Sequence, residues 1–307
     1  MGVGVGLSLA DFPFSGAEPF WRWVQLCEDG GIDSIWQTDR LVSAQPHLEC
    51  MTVMAALAGA TKRVKFGMNV ACLGWREPVL LAKQCATIDL LSGGRLLPAF
   101  GVGSPRGPEW QALRLPPKGH GGRIDEALEI LRLLWTEDSV DFDGEHYQLT
   151  NARIDPKPVQ KRFPLWIGGS SKAAVRRTAR LGTGWLAGTS TPGEAARVVA
   201  DIKVAAAAEG RSIDDDHFGA GFGFRFGSWD DPVVQKTAAY YRDLIGLDPA
   251  ERIVVGGAKE ILARIAEFVK GGVFKFVLRP LGDGNDEVLD QTHRFIDEVQ
   301  PELYRRN

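Results

Sequence analysis

Apolar positions along the chain follow two alternating patterns, which predict strands and helices in turn. Short apolar runs such as "VGVGLSL" at 3–9 and "DSIWQTD" at 33–39 are typical of buried strands. Longer stretches repeat apolar residues every three or four positions, as Ile124, Leu128 and Leu131 do, and this period is typical of amphipathic helices. The alternation therefore predicts a chain built from repeated strand–helix units.

Eight predicted strands share this short apolar character. They cover residues 3–9, 33–39, 64–72, 95–103, 165–169, 184–190, 217–226 and 274–280. The predicted helices, two of which follow the seventh strand, cover residues 17–31, 47–61, 77–94, 123–135, 171–182, 192–209, 231–246 and 257–271. Glycine- and proline-rich segments separate these elements, as expected for turns and loops.

Strands too apolar to expose one face to water are typical of parallel sheets that are covered by helices. Eight such strands predict an α/β fold, a TIM (β/α)8 barrel with loop insertions at the C-terminal rim. An open, doubly wound sheet is the alternative. No linker-like change of composition divides the chain, so we predict one domain over residues 1–307.

Composition narrows the class of protein. The chain is 44% hydrophobic and 24% charged with a formal net charge of -3, and no basic block indicates a nucleic-acid or membrane partner. No apolar run approaches the roughly 20 residues of a membrane helix. The four cysteines show no paired or metal-ligand spacing, which predicts no metal and a reducing compartment. A cytoplasmic location is the resulting expectation.

In a barrel, the residues just after each strand form the catalytic rim. The fifth strand leads into Gly168, Gly169, Ser170 and Ser171 at the start of a helix, where backbone N–H groups and the helix dipole favour an anion. A tight turn with a serine helix cap explains the same residues equally well. Both interpretations stay open on these residues alone.

Other predicted rim residues lie at the ends of the second, third and fourth strands or in the loops after them, and Trp185 is at the start of the sixth strand, beside the Gly168 segment. Asp39 and Arg40 form either a structural ion pair or a contact to substrate or cofactor. The remaining candidates for a pocket wall, a substrate contact or proton transfer are Asn69, Val70, Trp75, Arg106, Trp110, His120 and Trp185. The predicted pocket loops are 10–16, 72–77, 103–122 and 226–232.

This predicted rim contains glycines, hydroxyls, arginines and tryptophans, but no evident nucleophile–base pair. No HExxH motif indicates a metal, and no GxSxG motif indicates an acyl-transferring serine. Such a set suits an enzyme in which a bound cofactor performs the chemistry and the protein orients the reactants. A barrel that acts on phosphorylated substrates, such as an aldolase, needs a strand-end lysine or paired carboxylates. Here Arg279 occupies the eighth strand's end.

Three segments resemble the bacterial luciferase-like monooxygenase family, which includes flavin-dependent monooxygenases and deazaflavin-dependent oxidoreductases. They are "REPVLLAKQCATIDLLSGGRLLPAFGVG" at 76–103, "GGRIDEALEILRLLW" at 121–135 and "PKPVQKRFPLWIGGSSKAAVRRTARLGTGW" at 156–185. The resemblance extends over nearly the whole chain. It implies a TIM barrel that binds FMN, or the deazaflavin coenzyme, at its C-terminal rim.

The resemblance also assigns roles to particular residues. The cofactor phosphate is expected at Gly168–Ser171, and a cis peptide bond between Asn69 and Val70 is expected beneath the flavin ring, with 70–71 as the second choice for that bond. Asp39 is expected at the cofactor's edge, and His120 and Arg40 are the candidate catalytic residues.

Two departures from the family limit this transfer. Many members have Asp-His where this chain has Asp39-Arg40, and arginine does not lose its proton near neutral pH. Deazaflavin-dependent sugar-phosphate dehydrogenases carry a Gly-Glu acid after the fourth strand, where this chain has Gly103-Ser104-Pro105-Arg106. Proton transfer by those two groups therefore does not carry over.

The predicted function is a flavin-dependent monooxygenase or oxidoreductase that uses reduced FMN and O2 to oxidise a small organic substrate. A separate flavin reductase and a homodimer are the partners that the resemblance implies. The alternatives are a deazaflavin-dependent hydride-transfer enzyme and a flavin-binding protein without catalysis.

Overall fold

The fold is described from a computed structural model, which covers residues 2–104, 107–116 and 119–305. Its strands are β1 Gly4–Leu9, β2 Ser34–Gln37, β3 Lys65–Met68, β4 Ala71–Cys72, β5 Leu96–Leu97, β6 Ala99–Gly101, β7 Val140–Asp143, β8 Gln148–Ala152, β9 Trp166–Gly168, β10 Gly184–Leu186, β11 Phe218–Ala220, β12 Gly223–Phe226, β13 Ile253–Gly256 and β14 Lys275–Pro280.

The α-helices are α1 Ala17–Asp29, α2 Cys50–Ala60, α3 Pro78–Ser92, α4 Pro108–Ala112, α5 His120–Thr136, α6 Lys172–Leu181, α7 Pro192–Ala208, α8 Pro232–Ala239, α9 Pro249–Arg252, α10 Ala258–Lys270, α11 Asn285–Arg294 and α12 Gln300–Arg305. The short 3-10 and π-helical segments are Leu73–Trp75, Asp215–His217, Tyr240–Ile245 and Phe295–Val299. None of the helices in the described ranges is long and apolar enough to cross a membrane.

The parallel strand pairings form a closed circuit. β1 pairs with β2, and β2 pairs with β3. β3 then pairs with β5, and β4 pairs with β6. The circuit continues from β6 through β9, β10, β11 and β14, and β14 pairs with β1. Short breaks divide the third, fourth and seventh strands, so the eight predicted strands form the barrel in their predicted order. The TIM barrel is confirmed over the open sheet.

Three features outside the barrel refine the prediction. β7 and β8 form an antiparallel hairpin between α5 and β9. β13, which pairs with β12, was not predicted from the sequence. The predicted helix at 231–246 is α8 followed by the π-helical segment Tyr240–Ile245. This last difference matters because both parts lie at the rim.

Local sequence signals explain where two helices begin and end. α3 has proline at its first turn, its N-cap Glu77 accepts a hydrogen bond from the Leu80 backbone N–H, and Gly93 with φ 68° follows its last residue. Such a proline-first, glycine-last helix is a common pattern. α7 begins with a capping box, in which Thr191 and Glu194 each bind the other's backbone N–H. These caps fix the helices whose adjacent loops build the rim.

Candidate active site

Two adjoining cavities lie at the carboxyl ends of the barrel strands. The larger has a volume of about 880 Å³ and the smaller about 210 Å³. Both are lined by Ala10, Thr38, Asn69 and Arg279. The larger volume is within the usual range for small-molecule sites. The C-terminal rim of this barrel therefore offers a pocket with a smaller side chamber.

The turn between β3 and β4 is at the boundary of the two cavities. The peptide bond between Asn69 and Val70 is cis, which confirms the prediction for this turn. A Cβ atom added to Gly101 would lie 2.6 Å from a Val70 methyl, and one added to Gly168 would lie 3.0 Å from two methyls. Glycines on β6 and β9 thus make room for Val70. The turn and the Gly168 segment are in contact as a result.

Asp39 is a buried carboxylate at the end of the second strand. It accepts hydrogen bonds from the Cys72 backbone N–H at 2.9 Å and from the Arg76 guanidinium at 2.7 Å. Arg76 also pairs with Glu49 at 2.9 Å. Burial raises the pKa of Asp39 above its usual value, and the Arg76 guanidinium opposes part of that rise. This network ties the second strand's end to the segment after the third.

Arg40 lines the larger cavity, and its charge partner is a different residue. Its Nη1 lies 3.4 Å from Oε1 of Glu109, whose side chain is completely buried. Asp39 and Arg40 therefore do not form the ion pair that was one sequence-based alternative, since each binds a separate partner. Next to Glu109 in the chain, the Trp110 ring stacks on the His120 ring with 3.7 Å between the ring centroids. It also meets the Trp75 ring edge-on, with 6.0 Å between the centroids. Trp75 lines the larger cavity, and His120 lines neither.

Two of the predicted pocket tryptophans are not pocket walls. Trp110 is 3% exposed and Trp185 is fully buried, and neither lines the two cavities. Their indole N–H groups donate to the carbonyl oxygens of Ser104 and Gly169, both at 2.7 Å. A buried indole N–H usually finds such an internal acceptor, so both rings pack within the protein. The predicted substrate contact Arg106 lies outside the described residues.

The segment from Gly168 to Ser171 forms a turn and then caps α6. The Ser171 hydroxyl accepts a hydrogen bond from the Ala174 backbone N–H at 3.2 Å, as the capping interpretation expects. Gly169 has φ 104°, a conformation that favours glycine. Ser170 and Ser171 are exposed, and neither lines the two cavities. The cap is thus observed, while binding of an anion at this helix start stays a prediction.

Sequence reasoning missed several polar residues of the cavities. Arg279, passed over as a ligand-binding group, is the next-to-last residue of β14 and lines both cavities. Arg252 lines the smaller cavity, and Lys236 and Tyr240 line the larger. The strand-end rule alone could have identified Arg279. The others lie on α8, α9 and the π-helical segment, whose position over the rim has no sequence signal.

Metal and thiol chemistry receive no support from the described part of the chain. There, no group of three or more His, Cys, Asp or Glu residues could hold a metal ion. Cys72 lines the larger cavity but is 3% exposed, and burial raises the pKa of its thiol to about 12. A thiol in that state is a poor nucleophile at neutral pH.

A closed parallel barrel with a rim pocket defines the class as a TIM-barrel enzyme scaffold. The model of the family described as luciferase-like monooxygenase matches residues 15–245. The chain belongs to the luciferase-like monooxygenase family, which confirms the sequence-based resemblance.

Named relatives use two different cofactors. The F420-dependent glucose-6-phosphate dehydrogenase of Amycolatopsis mediterranei is 30% identical over 321 residues, covering 90% of this chain and 91% of that protein. The FMNH2-dependent dimethylsulfone monooxygenase of Pseudomonas putida is 35% identical over 200 residues, 62% of this chain and 54% of that protein. An uncharacterized protein of Mycobacterium tuberculosis is 37% identical over 163 residues, 53% of this chain and 55% of its own length. This chain thus spans about half the length of some relatives that it matches.

Solved structures agree on the fold. Monooxygenase RslO1 from Streptomyces bottropensis superposes with a TM-score of 0.84 at 20% identity, covering 97% of this chain and 99% of that one. An F420-dependent secondary alcohol dehydrogenase superposes with a TM-score of 0.83 at 19% identity, covering 99% of each chain. At such identities, the likeness establishes the shared barrel and nothing about substrate.

Proposed function

We propose that this chain is a flavin-dependent oxidoreductase that uses reduced FMN and O2 to oxidise a small organic substrate. The observation that carries the proposal is the cavity of about 880 Å³, which is bounded by the Asn69–Val70 turn at the barrel rim. Membership in the luciferase-like family supports it, as does the FMNH2-dependent relative.

The residues of the larger cavity fit a planar, polar-edged cofactor such as a flavin. Trp75 lines this cavity, and its indole N–H is buried without a hydrogen-bond partner in the described residues. Buried donors usually find an acceptor, so this N–H suits a ligand carbonyl. Asn69 and Val70 would lie beneath the ring, and Asp39 at its edge. The segment from Gly168 to Ser171 would hold the phosphate at the start of α6. Reduced flavin, when bound, would supply the two electrons that activate O2, which is the oxidant.

The chain's own contribution is to position reactants and exclude water. Phe12 and Trp75 provide aromatic surface in the larger cavity, and a dry site strengthens the interactions within it. An arginine side chain serves as a fixed cation and not as a base, and Arg40 contributes such a cation to the larger cavity. The ion pair with Glu109 holds Arg40 in place, and the ion pair with Asp39 holds Arg76.

A deazaflavin-dependent hydride-transfer enzyme is the second candidate. The observation in its favour is the F420-dependent relative, which matches 91% of its own length. Against it stands the segment at 103–106, which lacks the Gly-Glu acid of the sugar-phosphate dehydrogenases. A homodimer, a separate flavin reductase and a cytoplasmic location complete the proposal on the family resemblance.

Parallel titrations with FMN, riboflavin and coenzyme F420 test the proposal. We expect FMN to bind more tightly than F420, and reduced FMN to support substrate-dependent O2 consumption across a substrate panel. Tighter binding of F420 would favour the second candidate. Flavin binding without any substrate-dependent product would indicate a non-catalytic flavin protein, and binding of neither cofactor would refute both enzyme proposals.

One variant separates the cap from the phosphate site. In Ser171→Asp, aspartate still caps α6 but adds a negative charge where the phosphate would bind. We expect weaker FMN binding, unchanged riboflavin binding and unchanged thermal stability. Ser212→Asp, in the exposed loop between α7 and β11, is the charge-matched control and should leave all three unchanged.

A further inference from the structure

Arg279 lies at the junction of the two cavities, because it lines both of them. Its backbone N–H donates to the Phe222 carbonyl at 3.0 Å, and it is paired with Gly223 in the neighbouring strand. A Cβ atom added to Gly223 would lie 3.4 Å from Nη2 of Arg279. The guanidinium therefore lies beside Gly223, and the strand fixes the position of the Arg279 backbone.

The Arg279 guanidinium has no carboxylate partner in the described part of the chain. Its Nε is buried without a hydrogen bond, and its nitrogens form neither a side-chain hydrogen bond nor an ion pair there. Asp283 lines the larger cavity without pairing with it. None of the seven residues outside the described ranges is an aspartate or a glutamate. A cation partly removed from water without a partner is costly, which favours an anionic ligand.

The other arginine of the smaller cavity is already neutralised. Nη1 of Arg252 lies 2.7 Å from Oε2 of Glu194 and donates to the Thr189 carbonyl at 3.2 Å. Among the described residues that line the smaller cavity, Arg279 therefore carries the one positive charge without a carboxylate partner. The hydroxyl groups of Ser8 and Ser190 line the same space and add donors of no net charge.

We propose that the substrate of this enzyme is a carboxylate, and that Arg279 binds its head group in the smaller cavity; this rests on the proposed function. A guanidinium binds a carboxylate through two parallel hydrogen bonds, and one positive charge balances one negative charge. A phosphate ester approaches two negative charges at neutral pH and would leave one unbalanced. The proposal separates this chain from a sugar-phosphate dehydrogenase such as its Amycolatopsis relative.

The position of Arg279 also orients the substrate. Asn69 and Thr38 line both cavities, so they form the boundary between the head group and the larger space. A carboxylate held at Arg279 directs the rest of the molecule across Asn69 toward the proposed flavin site. Arg279 is thus a residue that determines specificity.

Ligand titrations on the wild-type protein give the first test. Calorimetry measures the binding, with and without FMN present. The probes are benzoate, its neutral analogue benzamide and inorganic phosphate. We expect benzoate to bind at least about tenfold more tightly than either, because a charge-assisted pair is lost with the amide and is unbalanced with phosphate. Equal binding of benzoate and benzamide, or tighter binding of phosphate than of benzoate when FMN already fills the proposed phosphate site at Gly168–Ser171, would overturn the proposal.

Variants give the second test. Arg279→Gln should lose most of the benzoate affinity, Arg279→Lys should keep part of it, and Arg197→Gln, on the exposed face of α7, should keep all of it. An unchanged benzoate affinity in a folded Arg279→Gln protein would refute the role. So would a loss of FMN binding with riboflavin binding intact, since Arg279 would then bind the cofactor phosphate.

The two proposals fail in different ways. If FMN and F420 do not bind but benzoate affinity depends on Arg279, the flavin function fails and the carboxylate site stands. If a flavin binds but benzoate affinity does not depend on Arg279, only the carboxylate inference fails. The wild-type ligand series decides the inference even where an Arg279 variant does not fold.

Discussion

Replacement of Gly101 by alanine should disturb the strand-three turn through a single contact. The new methyl group would lie 2.6 Å from a Val70 methyl, whereas carbon atoms in favourable contact are about 3.5–4.0 Å apart. Val70 therefore has to move by roughly 1 Å, and its branched side chain has few alternative rotamers. Gly101 does not have a positive φ, so the effect is steric and not conformational.

The magnitude follows from the same geometry. Overpacking of a buried site usually costs about 1–3 kcal/mol of the free energy of unfolding. Without the Val70 methyls, the nearest atom to the new group is the Val70 Cβ at 3.9 Å, which is an ordinary contact. In a Val70→Ala background, Gly101→Ala should therefore cost less than about 0.5 kcal/mol, so the two substitutions are coupled by at least about 1 kcal/mol.

Urea unfolding of the wild type, both single variants and the double variant measures this coupling, and FMN fluorescence titration follows the site. Gly101→Ala should also weaken FMN binding, because Val70 lines the larger cavity. Gly59→Ala in α2, where an added Cβ meets nothing within 4 Å, is the control and should not destabilise. Equal costs of Gly101→Ala in the two backgrounds would refute the reasoning.

Three further predictions concern ionisable side chains around the rim. Arg76→Met removes the cation beside buried Asp39 and should lower the free energy of unfolding by about 3–5 kcal/mol in urea titrations, with an unaltered midpoint contradicting the buried pair. The Arg252 hydrogen bonds lower the pKa of Glu194 from 4.5 to about 2. The contribution of ionised Glu194 to the stability of the folded protein is therefore present above pH 4.5 and is lost as the pH falls toward 2. The stability difference between wild type and Glu194→Gln, which keeps the helix cap, should shrink over that interval in thermal melts; a constant difference would oppose this account. Cys72, with its thiol pKa raised to about 12 by burial, should resist iodoacetamide at pH 8 in the folded protein and react in urea, as peptide mass analysis would show.

The cavities explain which site residues could be predicted. Asn69 and Val70 follow a strand and match a family segment, so both the turn and its cis bond were predictable. Three of the four predicted pocket loops do contribute to the site, since residues 10–13, Cys72, Trp75 and Gly103 line the larger cavity. In place of 226–232, the following stretch supplies Val233, Lys236, Thr237 and Tyr240. A helix that folds over the rim leaves no local pattern to reveal it.

The sequence by itself determined the order and type of the barrel strands, because each strand is a short apolar run and such a run predicts burial on both faces. It also determined the helix start at Ser171, because a cap depends on residues three positions apart. Only the tertiary structure decided the charge partners: Asp39 binds Arg76, 37 positions away, and Arg40 binds Glu109, 69 positions away. Electrostatic pairing depends on distance in space, and that distance is set by closure of the barrel. The same closure left Arg279 without a carboxylate among the described residues.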